Sequence, residues 1–190
     1  MDWYRPFDAS YRLVAVDRAT GIEVGDVAGA VSGGSISRSQ DTEAKESATV
    51  DVVGLMPLGP CLVRVYLDAR QGAETCSECL GTFVPNAPES TFDGSSKRST
   101  LNLVGRLSEL SGDVFDAPVS YPRGTAVLPE VCKIARGAGL DVVQLDESAS
   151  VLSGDRTYGL GDEGDSDSKL SVINDLLSLA GFSSASTDPW

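Results

Sequence analysis

Residues Leu62 to Val84 read LVRVYLDARQGAETCSECLGTFV, and the fold follows from how this stretch is divided. In its first half Val63, Val65 and Leu67 alternate with Arg64, Tyr66 and Asp68. Successive side chains of a strand point to opposite faces, so this period of two predicts a half-buried strand. The second half ends in Leu80-Gly81-Thr82-Phe83-Val84, a second β-rich run. The polar connection between them contains Gly72 and reads as longer than a two-residue hairpin loop. The expectation is an antiparallel pair with a long exposed tip.

Working outward toward the N-terminus, Tyr11 to Val16 and Ile22 to Val24 predict a hairpin joined by Asp17-Arg18-Ala19-Thr20-Gly21. Asp favours the start of such a turn, and Gly supplies positive φ. Ser35 to Ser39 reads as an extended piece after Gly33-Gly34, and Gln40 to Lys45 as a polar loop. Glu46 to Val53 alternates again, with Ala48, Val50 and Val52 on one side. These strands share one apolar face, which a small closed or nearly closed sheet would hide.

Toward the C-terminus, Pro85 to Ser96 (PNAPESTFDGSS) is rich in Pro, Ser and Gly and marks a boundary or crossing. Lys97 to Val104 predicts a strand, followed by a short helix over Gly105 to Leu110; one helix from Ser99 to Leu110 is the rival reading. Val127, Val131, Ile134 and Ala135 have helical spacing, with Thr125 as cap, Pro129 in the first turn, and Gly137 and Gly139 at the end. Asp141 to Leu145 and Arg156 to Leu160 predict strands. Asp167 or Ser168 caps a last helix, Lys169 to Ala180, with Gly181 at its end. The predicted class is α+β, mainly β. A barrel-like domain spans 1–92, and an α+β domain with two main helices spans 93–190.

The 190 residues carry a net charge of −13, from 28 acidic and 15 basic side chains. That balance argues against broad attraction to nucleic acid or anionic lipid. No run approaches the roughly 18 apolar residues of a membrane span. The opening MDWYRPFDAS lacks the apolar core of a secretory signal, which predicts folding in a reducing cytoplasm.

The chain contains no histidine. Ser-His-Asp and Cys-His nucleophile activation, and histidine-containing metal sites, are thereby excluded. Cys76-Ser77-Glu78-Cys79 is a CxxC, but no helix start or βαβ unit surrounds it, and Cys61 and Cys132 are isolated. It reads as incidental thiols, with a metal or disulfide staple and a redox pair as alternatives. Asp162-Glu163-Gly164-Asp165-Ser166-Asp167 reads as a solvated loop leading to a helix cap, its spacing unlike that of an EF-hand. No catalytic, cofactor-binding or metal-binding residue is assigned, and no cofactor is expected.

The order of segments resembles the N-terminal region of phage tail hub proteins, the baseplate hubs of contractile tails and the tail-associated proteins of long flexible tails. The resembling pieces are SGGSISRSQDTEAKESATVDVVG, CLVRVYLDA and LGTFVP, then RSTLNLVGRLSEL, YPRGTAVLPEVCKIARGAGL and KLSVINDLLSLAGF. They run from Ser32 to Phe182.

The resemblance implies a non-enzymatic virion component, a homotrimer whose barrel-like domains ring the tail axis and contact other tail or baseplate proteins. DNA would pass through the lumen without being bound. The location implied is the virion tail, reached from the host cytoplasm, with no membrane. A glycan- or small-ligand-binding β module for host recognition is the alternative reading.

Overall fold

The computed structural model describes residues 2–27, 30–39, 45–54, 57–92, 94, 97–140, 148–159 and 167–186. Among them the fold is mainly β with three helices, and the chain divides into two compact units between Arg106 and Leu107.

The first unit is one antiparallel sheet built from β1 (Asp8–Val16), β2 (Glu23–Asp26), β3 (Ala30–Arg38), β4 (Glu46–Val53), β5 (Leu62–Gln71), β6 (Glu74–Pro85), β7 (Glu89–Phe92) and β8 (Lys97–Gly105). The hydrogen-bonded order is β2-β1-β5-β6-β8-β4-β3, with β7 also on β8. This order has two ends and is not a closed ring among the described residues. β2 and β3 stand at opposite ends of it although only residues 27–29 separate them in sequence. β1 and β3 also come together in space, so the sheet curls until its ends approach.

The curl gives the sheet an inner apolar face. Leu13 and Ala15 of β1, Ala48, Val50 and Val52 of β4, Val63 and Val65 of β5, Phe83 of β6, and Leu101 and Leu103 of β8 form one cluster with Val27. Phe83, Val63 and Leu101 are wholly buried. Burying such a side chain contributes about 1.5–3 kcal/mol, which is what holds the curled sheet against the entropy of ordering it. The alternation expected for Glu46 to Val53 and for Val63 and Val65 is present in this cluster.

The hairpin joining β5 and β6 differs from the expected long tip. Pairing continues to Gln71 opposite Glu74, leaving Gly72-Ala73 as a two-residue turn. Gly72 has φ of 62°, the positive value that a type II′ turn needs at its first central position. The polar residues between the two apolar runs are strand residues with little buried on either face, so alternation could not reveal them.

The expected boundary at 92/93 falls inside this sheet. β7 pairs with β8 from Glu89 opposite Thr100 to Phe92 opposite Lys97, and β8 also pairs with β4 and β6. The Pro- and Ser-rich stretch is therefore a hairpin arm, and the first unit runs on through Arg106. β3 is likewise longer than the expected Ser35–Ser39 piece: it pairs along β4 from Ala30, with a bulge at Ser32.

In the second unit, α1 (Ser108–Ser111), α2 (Val127–Gly137) and α3 (Lys169–Leu179) pack with a small pair, β9 (Val119–Tyr121) and β10 (Arg156–Tyr158). Leu107, Leu110, Val127, Val131, Ile134, Leu170, Ile173, Leu176 and Leu177 share its core. The strand-then-short-helix reading of 97–110 holds over its rival. Ser168 caps α3 as expected, its side chain accepting from Ser171 N at 3.1 Å. Thr125 does not cap α2. The N-cap is Ala126, and the Thr125 hydroxyl is turned back to donate to the Pro122 carbonyl at 2.7 Å. The expected strand at Asp141–Leu145, the loop at 40–44 and the acidic stretch 162–166 lie outside the described residues.

Candidate functional site

The curled sheet has an outer face, and over β2, β1, β5 and β6 it carries a continuous polar network. The register creates it. Arg12 stands opposite Tyr66, Val14 opposite both Arg64 and Asp26, Val16 opposite Glu23, and Asp68 opposite Ser77. These residues all project away from the inner core because they alternate with Leu13, Ala15, Val63 and Val65.

Each charge in the network meets a partner. Glu23 Oε1 accepts from Tyr66 Oη at 2.5 Å and from Arg64 at 3.0 Å. Arg64 Nε donates to the Thr82 hydroxyl at 3.1 Å. Arg12 lies over the Tyr66 ring at 4.7 Å and donates to Asp68 Oδ2 at 3.2 Å, and it is 3.8 Å from Asp26. The Ser77 hydroxyl donates to Asp68 Oδ1 at 2.6 Å. Beneath the arginines, Val14, Tyr66 and Cys79 form a small buried cluster, so the arginine stems act as its lid.

The electrostatics follow from these contacts. The Tyr66 hydrogen bond, helped by Arg64, holds the Glu23 carboxyl below its usual range. Burial and the adjacent Glu23 carboxylate push the Tyr66 hydroxyl up. Glu23 is thus held as a carboxylate between the Arg64 guanidinium and a neutral Tyr66 phenol. The network's arginines are occupied by carboxylates, and a phosphate would have to displace them. The arrangement clamps four strands and presents a mixed-charge surface suited to contact with protein.

A second ion pair sits on the inner side of the sheet. β6 has one extra residue, Leu80, between the pairs Val65–Gly81 and Tyr66–Cys79. Arg38 at the end of β3 donates to the Leu80 carbonyl and, through Nε, to Glu46 Oε1 at 2.8 Å. Glu46 is buried in the line of Ala48, Val50 and Val52, and a buried carboxylate needs such a partner.

Cys76 and Cys79 lie three residues apart on a regular stretch of β6, opposite Ala69 and Tyr66. An odd spacing on a strand puts their side chains on opposite faces, so the two cannot share a metal or form a disulfide as the strand stands. Neither is in a disulfide. Cys79 is buried, while Cys76 donates to Glu78 at 3.2 Å, which raises its thiol pKa rather than activating it. Among the described residues no group of three Cys, Asp or Glu side chains could hold a metal ion. No helix among them is long and apolar enough to cross a membrane.

The outer network escaped the sequence reading because it depends on register. Arg64, Tyr66 and Asp68 were visible as the polar side of β5. Only their alignment with Arg12, Glu23 and Ser77 turns them into one cluster.

No family model and no curated protein matches this sequence. Among solved structures, the chain is similar to the tail protein from Neisseria meningitidis MC58, with 13% identity and a TM-score of 0.55 over 88% of this chain and 45% of that one. It is also similar to the 43 kDa tail protein of prophage MuSo2 from Shewanella oneidensis, with 11% identity and a TM-score of 0.59 over 92% of this chain and 49% of that one. The fold is therefore one found in phage tail proteins. The chain spans about half the length of these two structures.

Proposed function

We propose that the chain is a structural, non-enzymatic component of a phage or prophage tail. In this reading it acts as a hub at the tail tip, joining the tail tube to distal tip proteins around the DNA channel. The observation that carries the reading is the fold, shared with tail proteins over 88% and 92% of the chain. The curled sheet serves as the barrel-like, tube-type domain, and homotrimers of it ring the channel in the virion after assembly in the host cytoplasm. No membrane takes part.

Charge supports the second half of this reading. A passage for a polyanion works best when its wall does not hold phosphate. Lys and Arg contacts release counterions and grip a duplex, and about ten of them make binding strong at low salt. This chain has a net charge of −13 and four lysines, and Arg12, Arg38 and Arg64 are each paired with carboxylates. Acidic side chains facing the lumen would let DNA slide. The test is a duplex titration at low salt: no measurable affinity is expected, and tight, salt-sensitive binding would overturn the charge argument.

A further inference from the structure

We propose that the open edge of β7 takes an extended segment of a neighbouring protein as an added strand. Apolar side chains of that segment settle beside Phe92 and in a proline-lined groove, and a carboxylate meets Lys97. The docking chemistry stands on the fold alone; that the neighbour is another tail protein rests on the tail reading above.

The edge follows from the register around β8. β4 takes one side of β8, from Val53 opposite Arg98 to Ser47 opposite Val104. β6 and β7 share the other side, β6 at Leu103 to Gly105 and β7 at Lys97 to Thr100. β7 therefore continues the line of β6. β5 covers the far edge of β6, and its pairing stops at Val63 opposite Phe83. Beyond that point no described strand lies against the far edge of β7. An open edge offers unpaired backbone N–H and C=O groups, and an extended segment satisfies them in series.

A groove of about 370 Å³ opens where β7 begins. Pro57, Leu58, Pro85, Ala87 and Pro88 give it apolar walls, and Lys97 lines it too. Proline brings no N–H to such walls, which suits an apolar side chain. Pro88 immediately precedes Glu89, so a segment laid along β7 reaches the groove at one end. Phe92 marks the other end. Residues paired across an antiparallel ladder share a face, as the Ser90 and Ser99 hydroxyls do here at 2.8 Å. Phe92 is paired with Lys97 and is 73% exposed. Edge, ring and groove are thereby joined through Lys97 and Pro88.

Charge and spacing describe the occupant. Arg12, Arg38 and Arg64 of this sheet each hold a carboxylate. Lys97 is exposed and forms no ion pair among the described residues, although the chain carries a net charge of −13. A cation left open in so acidic a chain is complementary to a partner's carboxylate. Strand side chains alternate, so an added segment places every second one on the Phe92 face. The segment is therefore apolar at alternate positions, with Asp or Glu within reach of Lys97. β7 offers four residues, a small contact, so an isolated segment binds weakly and is measured at high concentration.

The experiment is fluorescence anisotropy of a short labelled peptide, valine alternating with threonine and aspartate at both ends, titrated with the full chain to about 1 mM. Saturable binding is expected, with slower amide exchange between Ser90 and Phe92. Phe92→Ser and Lys97→Glu should each weaken it about tenfold or more. Both side chains are exposed, so circular dichroism should be unchanged. Lys97→Glu should in turn favour the same peptide with lysine ends, a reversal that loss of fold cannot produce. No binding by the wild-type chain, or binding that neither variant weakens, would overturn this inference and leave the tail reading standing. Self-association of the wild-type chain that both variants abolish, with no peptide bound, would assign the edge to a second copy and overturn it too.

Discussion

The ring of Phe83 occupies the space next to Gly81: a Cβ built on Gly81 would lie 2.6 Å from two of its carbons. The two residues are neighbours on the inner side of β6, and Phe83 is wholly buried, so the ring has nowhere to go. Gly81→Ala should cost about 1–3 kcal/mol through overpacking. For a chain of this size that lowers the melting temperature by about 2–4 °C per kcal/mol. An unchanged melting temperature would show that the curled sheet is looser than described.

Gly34 makes a second prediction of the same kind. Its φ is 154°, and an added Cβ would sit 2.5 Å from the Thr49 carbonyl oxygen of the paired strand. Backbone cannot yield as a side-chain end can. Gly34→Ala should therefore detach β3 from β4, seen as faster amide exchange in both strands. Protection equal to wild type would contradict the pairing.

Tyr66→Phe deletes the hydroxyl that donates to Glu23. A hydrogen bond to a charged group contributes about 1.5–3 kcal/mol when buried, and less here because Glu23 is 41% exposed. The folded pKa of Glu23 is lowered, so its contribution is present above the unfolded value of 4.5 and lost as pH falls through the folded pKa. The stability gap between wild type and Tyr66→Phe should be open at neutral pH and close as the pH is taken below 4.5 and on through the lowered folded pKa. Urea unfolding at neutral pH and down that acid range checks this; a gap independent of pH would mean the hydroxyl acts through packing alone.

The thiols should behave differently from each other. Cys79 is buried with Val14 and Tyr66, whereas Cys76 is only half-buried on the opposite face. Cys79→Ser should destabilise by about 1 kcal/mol and Cys76→Ser hardly at all. Stoichiometric zinc in the purified chain, lost in either variant, would refute the placement on opposite faces.

Leu176→Ala, which truncates a buried side chain of α3, should cost about 2–5 kcal/mol, while exposed Ser178→Ala should hardly matter. Equal, small effects would mean that α3 does not pack its Leu170, Ile173 and Leu176 face as seen.

What could be read in advance followed burial. Glu46 to Val53 and Leu62 to Leu67 announce themselves because one face is apolar and the other is not. Ser168 and Gly181 mark the ends of α3 because capping chemistry is local. The misread parts lack those signals. Thr75 to Glu78 belongs to a strand whose side chains are largely exposed, so no alternation appears. Glu89 to Phe92 is a fully exposed edge, and its Pro- and Ser-rich flanks resemble a linker. Thr125 had a competing acceptor in the Pro122 carbonyl, which only the folded chain brings near. The outer network of Arg12, Glu23, Arg64 and Tyr66 depends on strand register, and no residue types alone encode which pairs face each other.

The central claim is that this fold serves as a ring-forming structural subunit of a tail. The most direct test is the particle mass of the purified chain at rising concentration, by sedimentation equilibrium, with negative-stain images of the same sample. The account predicts a trimer that fills in as concentration rises and threefold rings in the images. A strict monomer at the highest concentration, with isolated particles in every field, would contradict it.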